Sequence, residues 1–588
     1  MRRVLSSIIV CAALCSVSAN SVFADQATDG KAHRSGAKAQ GQLGNVMVNP
    51  YLNAPLTAII DLGGKQISKV SVRVLGKGND GIDIKYSVNP SQIMTHNGIP
   101  VAGLYPNYAN KVEVKYLLDG KDVQEIYTIV TSGINTTVAD GQKSSWPTIE
   151  PVKVSKGFEN RMYFISGDVK TPFSDEVSWT KYGALTWDFD PAFKYIADTK
   201  GETRWYLSPS HFDGMRDIKY RGTLHMYQVQ DGNWIWMKGQ SYGMFDMMGR
   251  MLWERPLPRG FIDGSHEVLL AENGKIFLRV AKKNYLRPDK QVVNTVRDHI
   301  IEVESLTGSV TKVWDFNKIL DPTRSVAIKA QNPAAVCMEI DMSKEGKKQE
   351  VEPNAPFGDH AGVGTGRNWA HINSITYDQS DDSIIISSRQ QSAVVKVGRD
   401  DKVKWILSSP DGWNGELAKK VLKPIDAKGH EIKCENSKCE GDFDWTWAQH
   451  AAFLTGKGTL TVFDNGDGRN MEQPAMQTMS YSRAVEYKID EKKGTVQQVW
   501  EFGKELGYDY FSIVVSLVQY QKDKNTHLVH FGSRHLFETQ DVTHPTIMEV
   551  AADNSKEVKV ELKVNQVAPG LISYRSRVID FEKAFNNH

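Results

Sequence analysis

Residues 371–389, HINSITYDQSDDSIIISSR, decide the architecture. An apolar run meets the polar turn QSDD and returns as a second apolar run, the pattern of an antiparallel hairpin with a histidine at its head and an arginine at its close. The same design recurs in HEVLLAENGKIFLRV, headed by His266, and in HAAFLTGKGTLTVFDNG, headed by His450. Equivalent histidines in three hairpins far apart in sequence imply a repeat.

A second hairpin repeats as strand, polar turn and strand ending in tryptophan. Its copies reach Trp205, Trp253, Trp314, Trp405 and Trp500, and a sixth, IMEVAADNSKEVKVELKV, keeps the pattern without the tryptophan. The copies lie about 50 to 95 residues apart, room for a four-stranded blade plus surface insertions. The expected fold is all-β, a six-bladed β-propeller. A β-sandwich with accidentally similar hairpins is the rival. YRSRVIDF, residues 574–581, is a candidate last strand that closes the ring on the first blade. The tryptophans read as packing between blades rather than as a substrate wall.

The innermost strands of a propeller run in one direction, so their first residues meet at one rim of the central channel. His266, His371 and His450 are expected there. Arg389 ends the strand that pairs with the one His371 opens, which returns it to the same rim. A single histidine at a strand start is usually structural; three at equivalent places make a chemical site.

The chain has 588 residues and a formal charge of +1, with no basic stripe, so nucleic acid is set aside as a partner. Met1-Arg2-Arg3, the apolar VLSSIIVCAALCSV and Val22-Phe23-Ala24 read as a signal peptide over residues 1–24, cut after Ala24 or, as second choice, Ala19. The expectation is an exported, soluble periplasmic protein with no membrane segment after signal removal. Cys11 and Cys15 leave with the signal. Cys434 and Cys439 are then expected to close a small loop as a disulfide, formed by a periplasmic thiol-oxidising system; free thiols or a metal pair are the alternatives. Cys337 would be a buried free thiol.

Residues 25–42 read as a flexible lead, and 43–135 as a β-sandwich with strands LTAIIDL, KVSVRVLG, GIDIKYSV, KVEVKYLL and QEIYTIVTS. A linker is expected over 136–155 and the catalytic propeller over 156–588. One helix is expected near Trp413 to Leu422. GVGTG at 362–366 imitates a phosphate loop outside a strand-to-helix context, and DNGDG at 464–468 imitates a calcium loop but reads as a hairpin turn.

Taken together, PLPRGFIDGSHE, GRNWAHINSITYD with DDSIIISSRQ, the Cys434 to Cys439 loop, DWTWAQHAAF and FDNGDGR resemble the bacterial periplasmic arylsulfate sulfotransferase family. The resemblance covers nearly the whole chain after the signal. It implies a homodimeric six-bladed propeller with an amino-terminal β-sandwich that moves a sulfuryl group from a phenolic sulfate donor to a phenol acceptor without a nucleotide sulfate donor or other cofactor. By motif it implies His450 as nucleophile, His266, His371 and Arg389 as sulfuryl-binding residues, and a Cys434–Cys439 disulfide. Trp445 and Trp447 beside the nucleophile depart from the family pattern and bear on acceptor preference.

The residues taken alone agree with that chemistry. A neutral imidazole can attack the sulfur of an aryl sulfate and split one transfer into two displacements through a sulfohistidine. An acceptor must hold its other ring nitrogen, and the sequence does not identify it. Arg389 suits the sulfuryl oxygens, one of His266 and His371 (His266 preferred) serves as acid and base, and Asn373 is a further oxygen ligand. The competing readings are a histidine-bound metal hydrolase, which the fixed cation at Arg389 disfavours, and a non-catalytic propeller that binds a partner in its channel.

Overall fold

The computed structural model describes residues 40–136, 145–168, 193–208, 225–324, 364–435, 437–473, 481–536, 542–566 and 571–586, with the short pairs 179–180, 183–184 and 347–348. The signal peptide, most of the lead, Cys337 and Gly362 lie outside the described residues.

The amino-terminal part packs two sheets. One joins Val46–Val48, Thr57–Asp61 and Gly98–Ala102; the other orders Ile84–Val88, Ile67–Val74, Ala109–Leu118 and Lys121–Val130. In KVEVKYLL, Val112, Val114 and Tyr116 point into the core while Lys111, Glu113 and Lys115 point out, the period-two pattern that marks a half-buried strand. The short strands Val46–Val48 and Gly98–Ala102 escape sequence reading because every residue of Gly98–Ala102 is buried and nothing alternates. Pro90–His96 is a helix, with Asn89 capping the nitrogen of Ser91 and proline at the first turn.

Six further sheets of four or five strands follow one another. The first contains Met162–Asp168, Lys194–Asp198 and Thr203–Tyr206, and the second runs from His225–Gln228 to Met251–Pro256. The third holds Val268–Leu270 against Lys275–Lys282, and the fourth holds Ile372–Asp378 against Ser383–Ser388. The fifth pairs His450–Leu454 with Leu460–Asp464, and the sixth starts with Leu517–Gln521 on Thr526–Phe531. All three histidine-headed hairpins therefore form as expected. The last strand, Ile572–Ile579, completes the first sheet by pairing with Met162–Asp168. Within 136–155, expected as a linker, Thr148–Val154 instead forms a strand on the outer edge of the sixth sheet. Pro151 is tolerated there because an edge strand has one row of backbone groups with no ladder to complete.

Each sheet touches the next, and the last touches the first. The indoles of Trp205 and Trp314 donate to the carbonyls of Met247 and Gly398, at 2.8 and 3.0 Å, and that of Trp405 to the carboxylate of Glu491 at 3.1 Å. Each acceptor belongs to the equivalent turn of the following sheet, so these tryptophans are inter-sheet packing. Thr461 bridges the fifth sheet to the carbonyl of Val518 in the sixth at 3.1 Å. Tyr163 in the first sheet donates to Glu549 in the sixth at 2.7 Å. Each buried indole removes roughly 200 Å² from water, about 5 kcal/mol before entropy is counted.

The two parts are welded together. Buried Arg204 pairs with Asp198 at 2.9 Å, donates to the carbonyls of Ile82 and Gly103, and lies 3.7 Å over the Tyr105 ring. The carboxy-terminal helix Phe581–Asn586 sets Phe585 against Tyr86 at 4.5 Å. The helix expected near Trp413 is only the single turn Gly415–Ala418. No helix among the described residues is long and apolar enough to cross a membrane.

Candidate active site

Backbone strain marks the heads of the inner strands. His266 and His371 adopt left-handed φ values of 69° and 45°, and Ala448 and Ala451 flank His450 at 50° and 57°. A non-glycine residue there costs roughly 1–3 kcal/mol, which the surrounding sheets must hold in place. Register shifts between Ile372 and Ser374 and between His450 and Phe453 add an extra residue at the same places. These bulges turn the side chains out of the ordinary alternation.

His266 and His371 meet, their Nε2 atoms 3.2 Å apart. Both are buried, and burial followed by the charge of Arg297 holds each well below the usual histidine range. Arg389 lies among the cations acting on His371 and on His450. Its guanidinium is placed by Asp467 at 2.9 Å and by the Gln390 side chain at 3.0 Å. Asn373 donates an N–H to the carbonyl of Gln449, the residue before His450, at 2.8 Å. That contact ties the His371 strand to the His450 strand.

His450 Nδ1 lies 2.7 Å from Asn465 Oδ1. Asn465 in turn donates through Nδ2 to the carbonyls of Ser512 and Val515, at 2.7 and 3.1 Å. Those carbonyls fix the amide with its oxygen toward His450, so Nδ1 must carry the proton and Nε2 keeps its lone pair. Burial, then Arg389, lowers the His450 pKa to about 3, against the raising effect of Asn465. The ring is a neutral base with one chosen nitrogen free.

Asn465 and Asp467 belong to DNGDG, read from sequence as a hairpin turn. Gly466 makes the turn possible: its φ is 85°, and a Cβ would meet the carbonyl of Tyr481 at 2.5 Å. Arg279, Arg297 and Asn368 also belong to the site, with Arg297 Nη1 3.4 Å and Asn368 Nδ2 3.0 Å from His371 Nδ1. The antiparallel logic that places Arg389 beside His371 applies equally to Arg279 beside His266 and to Asn465 beside His450.

The Cys434–Cys439 disulfide is present, with Cα atoms 3.9 Å apart in a two-strand turn. Between the cysteines, Ser437 binds Ser409 Oγ at 2.8 Å and Asp411, and the Asp411 carbonyl accepts from Arg324. Among the described residues the three histidines do not form a group with ligand atoms within 4.8 Å of one another. The group that does, Asp378, Asp381 and Glu491, surrounds the Lys396 ammonium.

Residues 148–575 match the family described as Arylsulfotransferase (ASST), and 45–132 match the Arylsulfotransferase Ig-like domain. The chain is 47% identical over 571 residues to arylsulfate sulfotransferase AssT of Escherichia coli O6:H1, covering 93% of this chain and 94% of that one. It is 45% identical over 574 residues to the protein of the same name from Lelliottia amnigena, with the same coverage. Among solved structures, a Bacteroides caccae protein of unknown function aligns at a TM-score of 0.36 and 10% identity, covering 71% of this chain and 98% of that one, too slight to carry an argument. The chain belongs to the arylsulfotransferase family and is a transferase enzyme.

Proposed function

We propose that this enzyme moves a sulfuryl group from a phenolic sulfate ester to a phenol by a ping-pong mechanism, through a sulfohistidine at Nε2 of His450. The observation that carries this is the Asn465 hydrogen bond to His450 Nδ1, which leaves a neutral nitrogen with a free lone pair in a buried cationic site. Nε2 attacks sulfur, the ester oxygen departs with the S–O electron pair, and a second phenol reverses the step. Negative charge spreads over the sulfuryl oxygens in a loose transition state. Arg389 binds those oxygens through its planar fork, His266 and His371 supply further contacts, and one of these two histidines carries the phenol proton. Asn373 contributes an N–H to an oxygen or, through Gln449, steadies the His450 strand.

The six successive sheets are the blades of a six-bladed propeller, closed where Ile572–Ile579 completes the first blade. We assign residues 43–135 to the β-sandwich domain and 156–588 to the catalytic propeller. The signal at 1–24 directs the chain to the periplasm, where a thiol-oxidising system closes the disulfide and the protein works as a soluble homodimer.

Initial rates over a grid of donor and acceptor concentrations test the mechanism. Parallel double-reciprocal lines are the expected result. Intersecting lines would mean that both phenols bind together, and no sulfohistidine would be required.

A further inference from the structure

We infer that Arg279, with Ser265, is a positioning pair that locks His266 as a fixed N–H donor at the sulfuryl site and leaves His371 to carry the phenol proton; this rests on the double-displacement reading. Arg279 is fully buried. Its Nε donates to the Ser265 carbonyl at 2.9 Å and its Nη1 to Asp263 at 3.1 Å. Nη2 donates to the Ser265 hydroxyl and lies 3.3 Å from His266 Nδ1; that hydroxyl is itself 2.8 Å from Nδ1.

A guanidinium has only donors. A proton on His266 Nδ1 would find one acceptor, the serine hydroxyl oxygen, and would crowd the N–H of Arg279, whereas a bare Nδ1 accepts from both the guanidinium and the hydroxyl. The His266 proton is thus held on Nε2, 3.2 Å from His371 Nε2. His371 must present a lone pair there and carry its own proton on Nδ1, which requires the Asn368 amide, placed with Nδ2 3.0 Å from Nδ1, to turn over and offer its oxygen instead. Arg297 Nη1 stands 3.4 Å from both nitrogens of His371 and so specifies neither tautomer.

The proton balance follows. The bound sulfate ester brings a negative charge, and His371 Nε2 takes up a proton with it. As the S–O bond breaks and Nε2 of His450 bonds sulfur, that proton passes to the leaving oxygen and a neutral phenol departs. In the second half, the acceptor phenol returns a proton to His371 Nε2 while its oxygen bonds sulfur and the electron pair of the S–N bond returns to His450. His266 keeps its proton throughout.

The test compares two donors, phenyl sulfate and 4-nitrophenyl sulfate, whose leaving groups differ in their need for a proton. Asparagine retains an N–H but cannot titrate. His371→Asn should lower kcat with phenyl sulfate ~100-fold more than with the nitrophenyl ester. His266→Asn should lower both about equally. Steepening in His266→Asn instead, or equal slopes in the two variants, overturns the assignment. Arg279→Met should raise the donor KM ~10-fold with a smaller effect on kcat for the nitrophenyl ester, and Arg279→Lys should restore KM to within ~3-fold. An unchanged KM in folded Arg279→Met would reduce Arg279 to a space-filling role. Should that variant not fold, Ser265→Ala carries the test with a rise of ~3-fold, and no rise overturns the pair's role. Wild-type enzyme that transfers nothing between phenols would instead sink the reaction itself.

Discussion

The two ends of the fourth sheet carry buried charge in opposite ways. At the hairpin end, one ammonium, Lys396, faces Asp378, Asp381 and Glu491 at 2.7, 3.0 and 2.6 Å. At the other end, among the described residues, Arg389 pairs with Asp467, and across the site Arg279 and Arg297 share Asp263. Backbone strain divides the same way: at the hairpin end the left-handed positions are turn residues such as Asp382 and Asp401, while at the rim they include His371 and Ser392. The cation is fully answered by carboxylates at one end. Among the described residues, the other sets the guanidinium groups of Arg279, Arg297 and Arg389 beside the carboxylates of Asp263 and Asp467 and the neutral histidines. The first arrangement holds a fold together, and the second is built to receive an anion.

The sharpest way to break this contrast is at the nucleophile. His450→Ala should remain folded and lose transfer by at least ~10³-fold, measured by phenol release with acceptor present. Retained transfer would remove His450 from the mechanism. Asn465→Ala should cost ~10²-fold in kcat, since the freed imidazole can place its proton on the attacking nitrogen. Asn465 also anchors two backbone carbonyls, so this variant should lose some stability as well.

At the hairpin end the expectation is reversed. Lys396→Met should leave kcat within about twofold and lower stability by about 1–2 kcal/mol, discounted because the carboxylates are partly exposed. A large kcat effect there would erase the difference between the two ends.

Acid offers a further test. Burial depresses the pKa of His450 and His530 to about 3 and holds His225, His266 and His371 well below their usual range. The unfolded chain binds these protons near pH ~6.5 and the folded chain refuses them. Stability from these sites is full above pH ~6.5 and is lost as pH falls toward about 3. The thermal midpoint should therefore drop steadily from pH 7 to pH 4, and a flat profile would contradict the neutral histidines. A modest effect is expected from Cys434→Ser/Cys439→Ser. Opening so short a loop costs about 2 kcal/mol in the chain-entropy account and should lower turnover more than it unfolds the sheets.

Much of this was legible in the chain because strand repeats leave a period. The histidine heads, Arg389 and the inter-sheet tryptophans all sit at equivalent positions, so one hairpin explains the others. Asn465 and Asp467 were hidden in DNGDG, whose composition reads as turn even when its side chains face a site. Arg279 was hidden by KIFLRV, where an arginine inside an apolar strand has no partner until the fold supplies Asp263 and Ser265. The helix Pro90–His96 and the strand Thr148–Val154 were missed because proline usually signals interruption, yet the first turn of a helix and a sheet edge both accept it.

The central claim is that His450 takes the sulfuryl group. Intact mass of the enzyme, quenched at alkaline pH after mixing with an aryl sulfate in the presence of a chelator, tests it directly. One sulfuryl adduct that maps to His450 and disappears when a phenol is added is the predicted result. Rapid phenol release and transfer with no adduct at any time would contradict it.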